Sequence, residues 1–201
     1  MAVVPTVYVE TNFLLELVFE QEEHEACSDL LELARSQRCA LCIPVHALSE
    51  AWETIGRRRA EMQSFPRQLR EVARMRRMGI SNEERLGLDR RLFDELNAWS
   101  GRWTGHVREL GRIARLLPHT LDTLLEADAL VQARAMGRQP DALMLAAVLQ
   151  DLTARTPTAP MFLNRNTRDF GSAATERLKE HGCALLGHFR HGVERVRSLA
   201  K

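Results

Sequence analysis

Short apolar runs separated by helical stretches constrain this chain more than any other feature. Val3–Val9, Cys39–Ile43, Met161–Leu163 and Cys183–Leu186 are apolar along almost their whole length, and Leu116–His119 reads as a further short run. A strand covered on both faces has no polar side to show, so it appears as a continuous apolar run rather than an alternation. The segments between carry helical signals. His24–Arg38 places Ala26, Leu30, Leu31, Leu33 and Ala34 on one stripe. Strands that alternate with helices are joined by crossovers, which force a parallel sheet with helices on both faces. The expected fold is therefore α/β, a three-layer α/β/α arrangement around a central parallel sheet.

Local signals fill in the helices. Asn12 is placed to cap the segment FLLELVFEQ. Glu50 lies near the start of a helix running through Trp52 and Ile55. Ser81-Asn82-Glu83-Glu84 carries a capping signal for a helical stretch to about Arg115. Leu121–Met136 is expected to stop at Gly137, and Pro140-Asp141 to open a helix apolar on nearly every face through Leu152. Thr153–Pro160 reads as a loop, Ala173–His181 as a helix ended by Gly182, and Val193–Leu199 as a closing helix. The composition changes at Gly56. Eight arginines (57, 58, 59, 67, 70, 74, 76 and 77) precede Gly79, opposed only by Glu61 and Glu71. The expected organisation is one domain over 1–201, with an arginine-rich helical insertion over 57–116.

The 201 residues suffice to bury a sizeable core, and a formal net charge of +1 gives no bulk attraction to nucleic acid or membrane. Any such attraction must be local. The N-terminus lacks the basic start of an export signal and no apolar run reaches membrane-spanning length, so a cytoplasmic protein with reduced thiols is expected. Cys39-Ala40-Leu41-Cys42 is a CxxC within a predicted strand, where residues three apart point to opposite faces; buried, inert cysteines are the expectation rather than zinc ligands. The chain has no P-loop, GxGxxG or GxSxG motif.

Four acids stand where strands end or helices begin: Glu10 in VYVETN, Glu50 in ALSEAW, Asp141 in GRQPDALMLAAVLQDL and Asp169 in FLNRNTRDF. Each alone has an ordinary explanation as a solvated end, a helix-dipole partner, a cap or a turn residue. Together they occupy the edge of a parallel sheet at which α/β folds gather functional groups. Converging carboxylates repel one another, and a hard divalent cation relieves that repulsion.

Taken in order, these segments resemble the motifs of the PIN-domain ribonucleases. VYVETN resembles the first, an acid after an apolar strand and before Thr-Asn. ALSEAWETI resembles the second, DALMLAAVLQ the third, and MFLNRNTRDF the last. The resemblance covers about residues 3–55 and 120–187 and leaves out the arginine-rich middle. It implies a PIN-like fold and a hydrolase that cleaves RNA using Mg²⁺ or Mn²⁺. On that reading Glu10, Glu50, Asp141 and Asp169 are the catalytic acids and metal ligands, with Asn12, Asn164 and Asn166 around them. It also implies RNA as partner, a toxin of a toxin–antitoxin pair with an antitoxin or other protein partner, and pairing as a homodimer. Two departures stand out: Glu10 occupies a position that is usually aspartate, and Asn164 and Asn166 stand where many relatives carry an early aspartate. They keep a second expectation open, a catalytically degenerate domain that binds RNA or a protein without cutting. Arg57, Arg58, Arg59, Arg67, Arg70 and Arg74 read as an RNA track beside the acids, as a solvated helix face, or as a surface that meets an acidic partner chain.

Overall fold

The computed structural model describes residues 3–75, 81–136, 139–166 and 170–199. Its centre is a sheet of five parallel strands: β1 (Thr6–Val9), β2 (Ala40–Pro44), β3 (Arg115–Leu117), β4 (Met161–Leu163) and β5 (Ala184–Leu186). They lie in the order β3-β2-β1-β4-β5. Among the described residues there are eight helices. These are α1 (Thr11–Phe19), α2 (His24–Arg35), α3 (Val45–Met75), α4 (Asn82–Ile113), α5 (Leu121–Gln132), α6 (Gln139–Arg155), α7 (Ser172–Glu180) and α8 (Phe189–Leu199).

The two-residue period of a strand divides the core into two layers. Val7 and Val9 face a cluster built with α1, α2, α3, α4 and α8. Tyr8, Cys42 and Phe162 face the other side, with α5, α6 and α7. The molecule is thus a three-layer α/β/α structure. The same period splits the CxxC, Cys39 joining the first cluster and Cys42 the second. All four cysteines are buried free thiols. Burial pushes Cys39 up to about 12 and Cys42 up to about 11, so both are protonated and inert near neutral pH.

The chain builds outward from β1 to β2 to β3, then crosses back and lays β4 on the other side of β1. That reversal between β1 and β4 is the place where open α/β sheets leave a crevice beyond the carboxyl ends of their strands. Val9 is in register with Leu163. The residues that follow them, Glu10 and Asn164, therefore leave the sheet side by side at the crevice.

A buried polar cluster ties the sheet to α6. The Tyr8 hydroxyl donates to Asp151 Oδ2 (2.6 Å), and Arg115 donates to both oxygens of that carboxylate as well as to Cys42 Sγ (3.2 Å). On the opposite face, Gly192 of α8 lies against Leu163, and a Cβ there would meet Leu163 Cδ1 at 2.5 Å. The absent side chain lets α8 approach the end of β4.

Several boundaries differ from the sequence expectation. The sheet takes β1 only from Thr6, because Val3 and Val4 are 37 % and 47 % exposed. Glu10, not Asn12, is the N-cap of α1. The change of composition at Gly56 marks no break, since α3 continues unbroken to Met75 with Pro66 inside it. The expected insertion over 57–116 corresponds to the outer part of α3, all of α4 and the start of β3, which begins at Arg115. Among the described residues no helix is long and apolar enough to cross a membrane.

Candidate metal centre

Glu10 is fixed by its place at the end of β1. It is 6 % exposed, and its Oε2 accepts the backbone N–H of Asn12 (3.0 Å), which caps α1. Its other oxygen, Oε1, is buried and finds no hydrogen-bond partner among the described residues. Burial raises the Glu10 carboxyl to about 7; the hydrogen bonds from Asn12 pull it down, and the nearby Glu50 and Asp141 push it further up.

Glu50 reaches the crevice from the second turn of α3. The buried Thr11 hydroxyl, one residue beyond Glu10, donates to its Oε2. One acid is thereby oriented by the residue next to the other. Asp141 enters from the first turn of α6, immediately after Pro140, and is half-buried.

The turn after β4 supplies the remaining wall. Asn164 is buried, its N–H donates to the Leu186 carbonyl (3.0 Å), and its Oδ1 accepts the N–H of Asn166 (2.7 Å). Between the two asparagines, Arg165 points away into an acidic anchor. It donates to Glu16, a carboxylate on α1 that is 1 % exposed, and to Glu22 (3.1 Å). This pairing satisfies a buried charge and holds the asparagine turn against α1. Asp169, expected as a fourth acid, lies outside the described residues.

Glu10, Asn12, Glu50, Asp141, Asn164 and Asn166 line one cavity of about 300 Å³. Thr54, Arg57 and Arg58 complete it from α3, one and two turns beyond Glu50. Those turns put cations at the rim of an acidic centre, which offsets its repulsion of a polyanion. The other arginines go elsewhere. Arg59 is half-buried and donates to Ser100 of α4 (2.9 Å). Arg67 pairs with Glu71 (3.5 Å), and Arg70 donates to the Pro66 carbonyl (3.1 Å), both on the exposed outer part of α3. Arg74 lies near the end of α3.

The donor set consists of carboxylates and amide oxygens, the chemistry of a hard cation such as Mg²⁺ or Mn²⁺ rather than of a thiolate metal. Among the described residues no three His, Cys, Asp or Glu side chains close into a tight metal-holding group. Thr11, Thr54 and Arg165 did not stand out in the sequence. The Thr directly after Glu10 was the only local hint, and the Glu16–Arg165 pair had none. No family model, no curated protein and no solved structure matches the chain.

Proposed function

We propose that the chain is a metal-dependent endoribonuclease of PIN type, hydrolysing RNA phosphodiester bonds in the cavity at the β1/β4 crevice. The observation that carries the reading is the buried Glu10 Oε1, which has no hydrogen-bond partner among the described residues and lies in a cavity shared with Glu50 and Asp141. A buried carboxylate oxygen without a donor is costly, and a cation is the partner that satisfies it while neutralising two further acids.

On this reading Glu10, Glu50 and Asp141 hold Mg²⁺ or Mn²⁺ directly or through water, and the breadth of the cavity suits an ion that keeps part of its hydration shell. Such an ion supplies an activated water and relieves charge on the phosphate. The chain's own groups do the rest. Thr11 and Asn12 fix the Glu50 and Glu10 carboxylates. Arg57 and Arg58 receive the phosphates of the strand at the rim. Asn164 and Asn166 offer neutral polar contacts where a further acid would add repulsion.

The test is cleavage of a labelled single-stranded RNA in EDTA, Mg²⁺ or Mn²⁺, comparing the wild-type chain with Asp141→Asn. Metal-dependent cleavage is expected, and its loss in the variant should exceed the ~100-fold that outer supporting residues of metal sites reach. Cleavage that persists in EDTA, or that Asp141→Asn leaves intact, would overturn the reading. RNA that is bound but left whole with both metals would point to the degenerate binding domain.

A further inference from the structure

A second cavity, of about 430 Å³, opens between α3 and α4 next to the acidic one. It is walled by Met62, Phe65 and Trp99 and edged by Glu61, Ser64 and Gln68. Arg58 lines both cavities. Its guanidinium carbon lies 4.4 Å from the centroid of the Phe19 ring, and that ring meets Trp99 edge-on. Arg58 is thus planted on an aromatic base at the ridge where the two cavities adjoin.

We propose that this groove is a subsite for one unstacked nucleobase of a single RNA strand whose reacting phosphate lies in the acidic cavity. The inference rests on the ribonuclease reading and names the part of the substrate that reading leaves open. Phe65 is 45 % exposed, so part of its ring is available for a base to stack on. Glu61 at the edge repels a phosphate but accepts the amino groups of a base. Gln68, held by a 3.1 Å hydrogen bond to the Ser64 hydroxyl, presents its amide to a base edge. The volume exceeds that of a base and lies in the range of small-ligand sites. A base can enter only if it is out of a helical stack, so the groove selects single-stranded over duplex RNA.

The spacing agrees with a strand running along α3. Glu50 and Arg58 are eight residues apart, about 12 Å along the axis, and Glu50 and Phe65 fifteen, about 22 Å. The reacting phosphate, the arginine ridge and the stacked base then fall in sequence along one helix face, with the base a few nucleotides from the bond cut.

The experiment measures binding of a short labelled RNA strand by anisotropy, with Ca²⁺ occupying the carboxylates and a gel confirming that the strand stays whole. Phe65→Ala is the variant, since an exposed side chain can be removed with little effect on folding, and unchanged thermal melting checks this. Binding should weaken about tenfold, within the range seen when a base-stacking ring is truncated. The salt dependence should be unchanged because no charge is lost. Phe65→Trp should restore affinity. A strand carrying abasic sites should bind the wild type as weakly as the intact strand binds Phe65→Ala. Equal binding of intact RNA by wild type and Phe65→Ala would overturn the subsite, leave the nuclease reading standing, and turn the groove toward an apolar protein partner. A wild-type chain that binds no RNA would overturn both.

Discussion

Glu10 is a single buried carboxyl that makes stability depend on pH and, on the proposed reading, holds the metal. Its folded value is raised to about 7 from 4.5. Below the unfolded value the carboxyl is protonated in both states and costs nothing. Between 4.5 and 7 the unfolded chain releases the proton while the folded chain keeps it, so stability falls as pH rises. Above 7 both are ionised and the loss, about 3 kcal/mol, is complete. Urea midpoints measured without divalent ions should therefore fall between pH 5 and 8. Glu10→Gln should flatten that slope, and a slope unchanged in Glu10→Gln would assign it to another group. Mg²⁺ or Mn²⁺ should recover stability at pH 8, because an ion that binds only the folded chain stabilises it. At this scale the sequence was legible where an acid sits directly after a strand or in the first turns of a helix, as with Glu10, Glu50 and Asp141. It was silent where a role depends on a distant neighbour. Thr11 acts on an acid 39 positions away, and Arg165 on one 149 away.

Elements were legible through their apolar runs, whereas their ends were not. Each strand core stood out, but where pairing starts depends on what lies alongside: Thr6 enters the sheet by donating to the Thr158 carbonyl (3.1 Å). The interior of α3 was the harder case. A helix glycine costs about 1 kcal/mol relative to alanine, and proline about 3. The base of α3 offsets such costs by burying Ala47, Ala51 and Ile55, so Gly56 is carried through. The elements are also joined by polar contacts that no local pattern reveals. Asp151 of α6 is where Tyr8 of β1 and Arg115 of β3 meet. Burial works against its charge, but Arg115 and the Tyr8 hydroxyl hold its carboxyl below the usual range. Asp151→Ala leaves the Tyr8 hydroxyl without its acceptor and Arg115 without its carboxylate, and should cost about 3 kcal/mol in urea denaturation. A cost below about 1 kcal/mol would mean that water replaces the carboxylate.

Over the whole molecule a formal net charge of +1 conceals an uneven distribution. Glu10, Glu50 and Asp141 gather at the crevice, while Arg57 and Arg58 stand at its rim. On the proposed reading a polyanion approaching the crevice would meet the rim first, and the acids would repel it until a cation fills them. The arginines of α3 are consequently unequal. Arg59 is committed to Ser100 and Arg67 to Glu71, whereas Arg57 and Arg58 face the cavity. Replacing Arg57 and Arg58 with alanine should remove two phosphate contacts. The slope of log affinity for single-stranded RNA against log salt should then shrink by about 1.4. Arg59→Ala should leave that slope as it is. An equal loss for both variants would mean that the basic face acts as a diffuse field rather than through the rim. A loss of affinity without a change in slope would mean that Arg58 acts as a planar surface planted on Phe19, stacking on the strand rather than neutralising it.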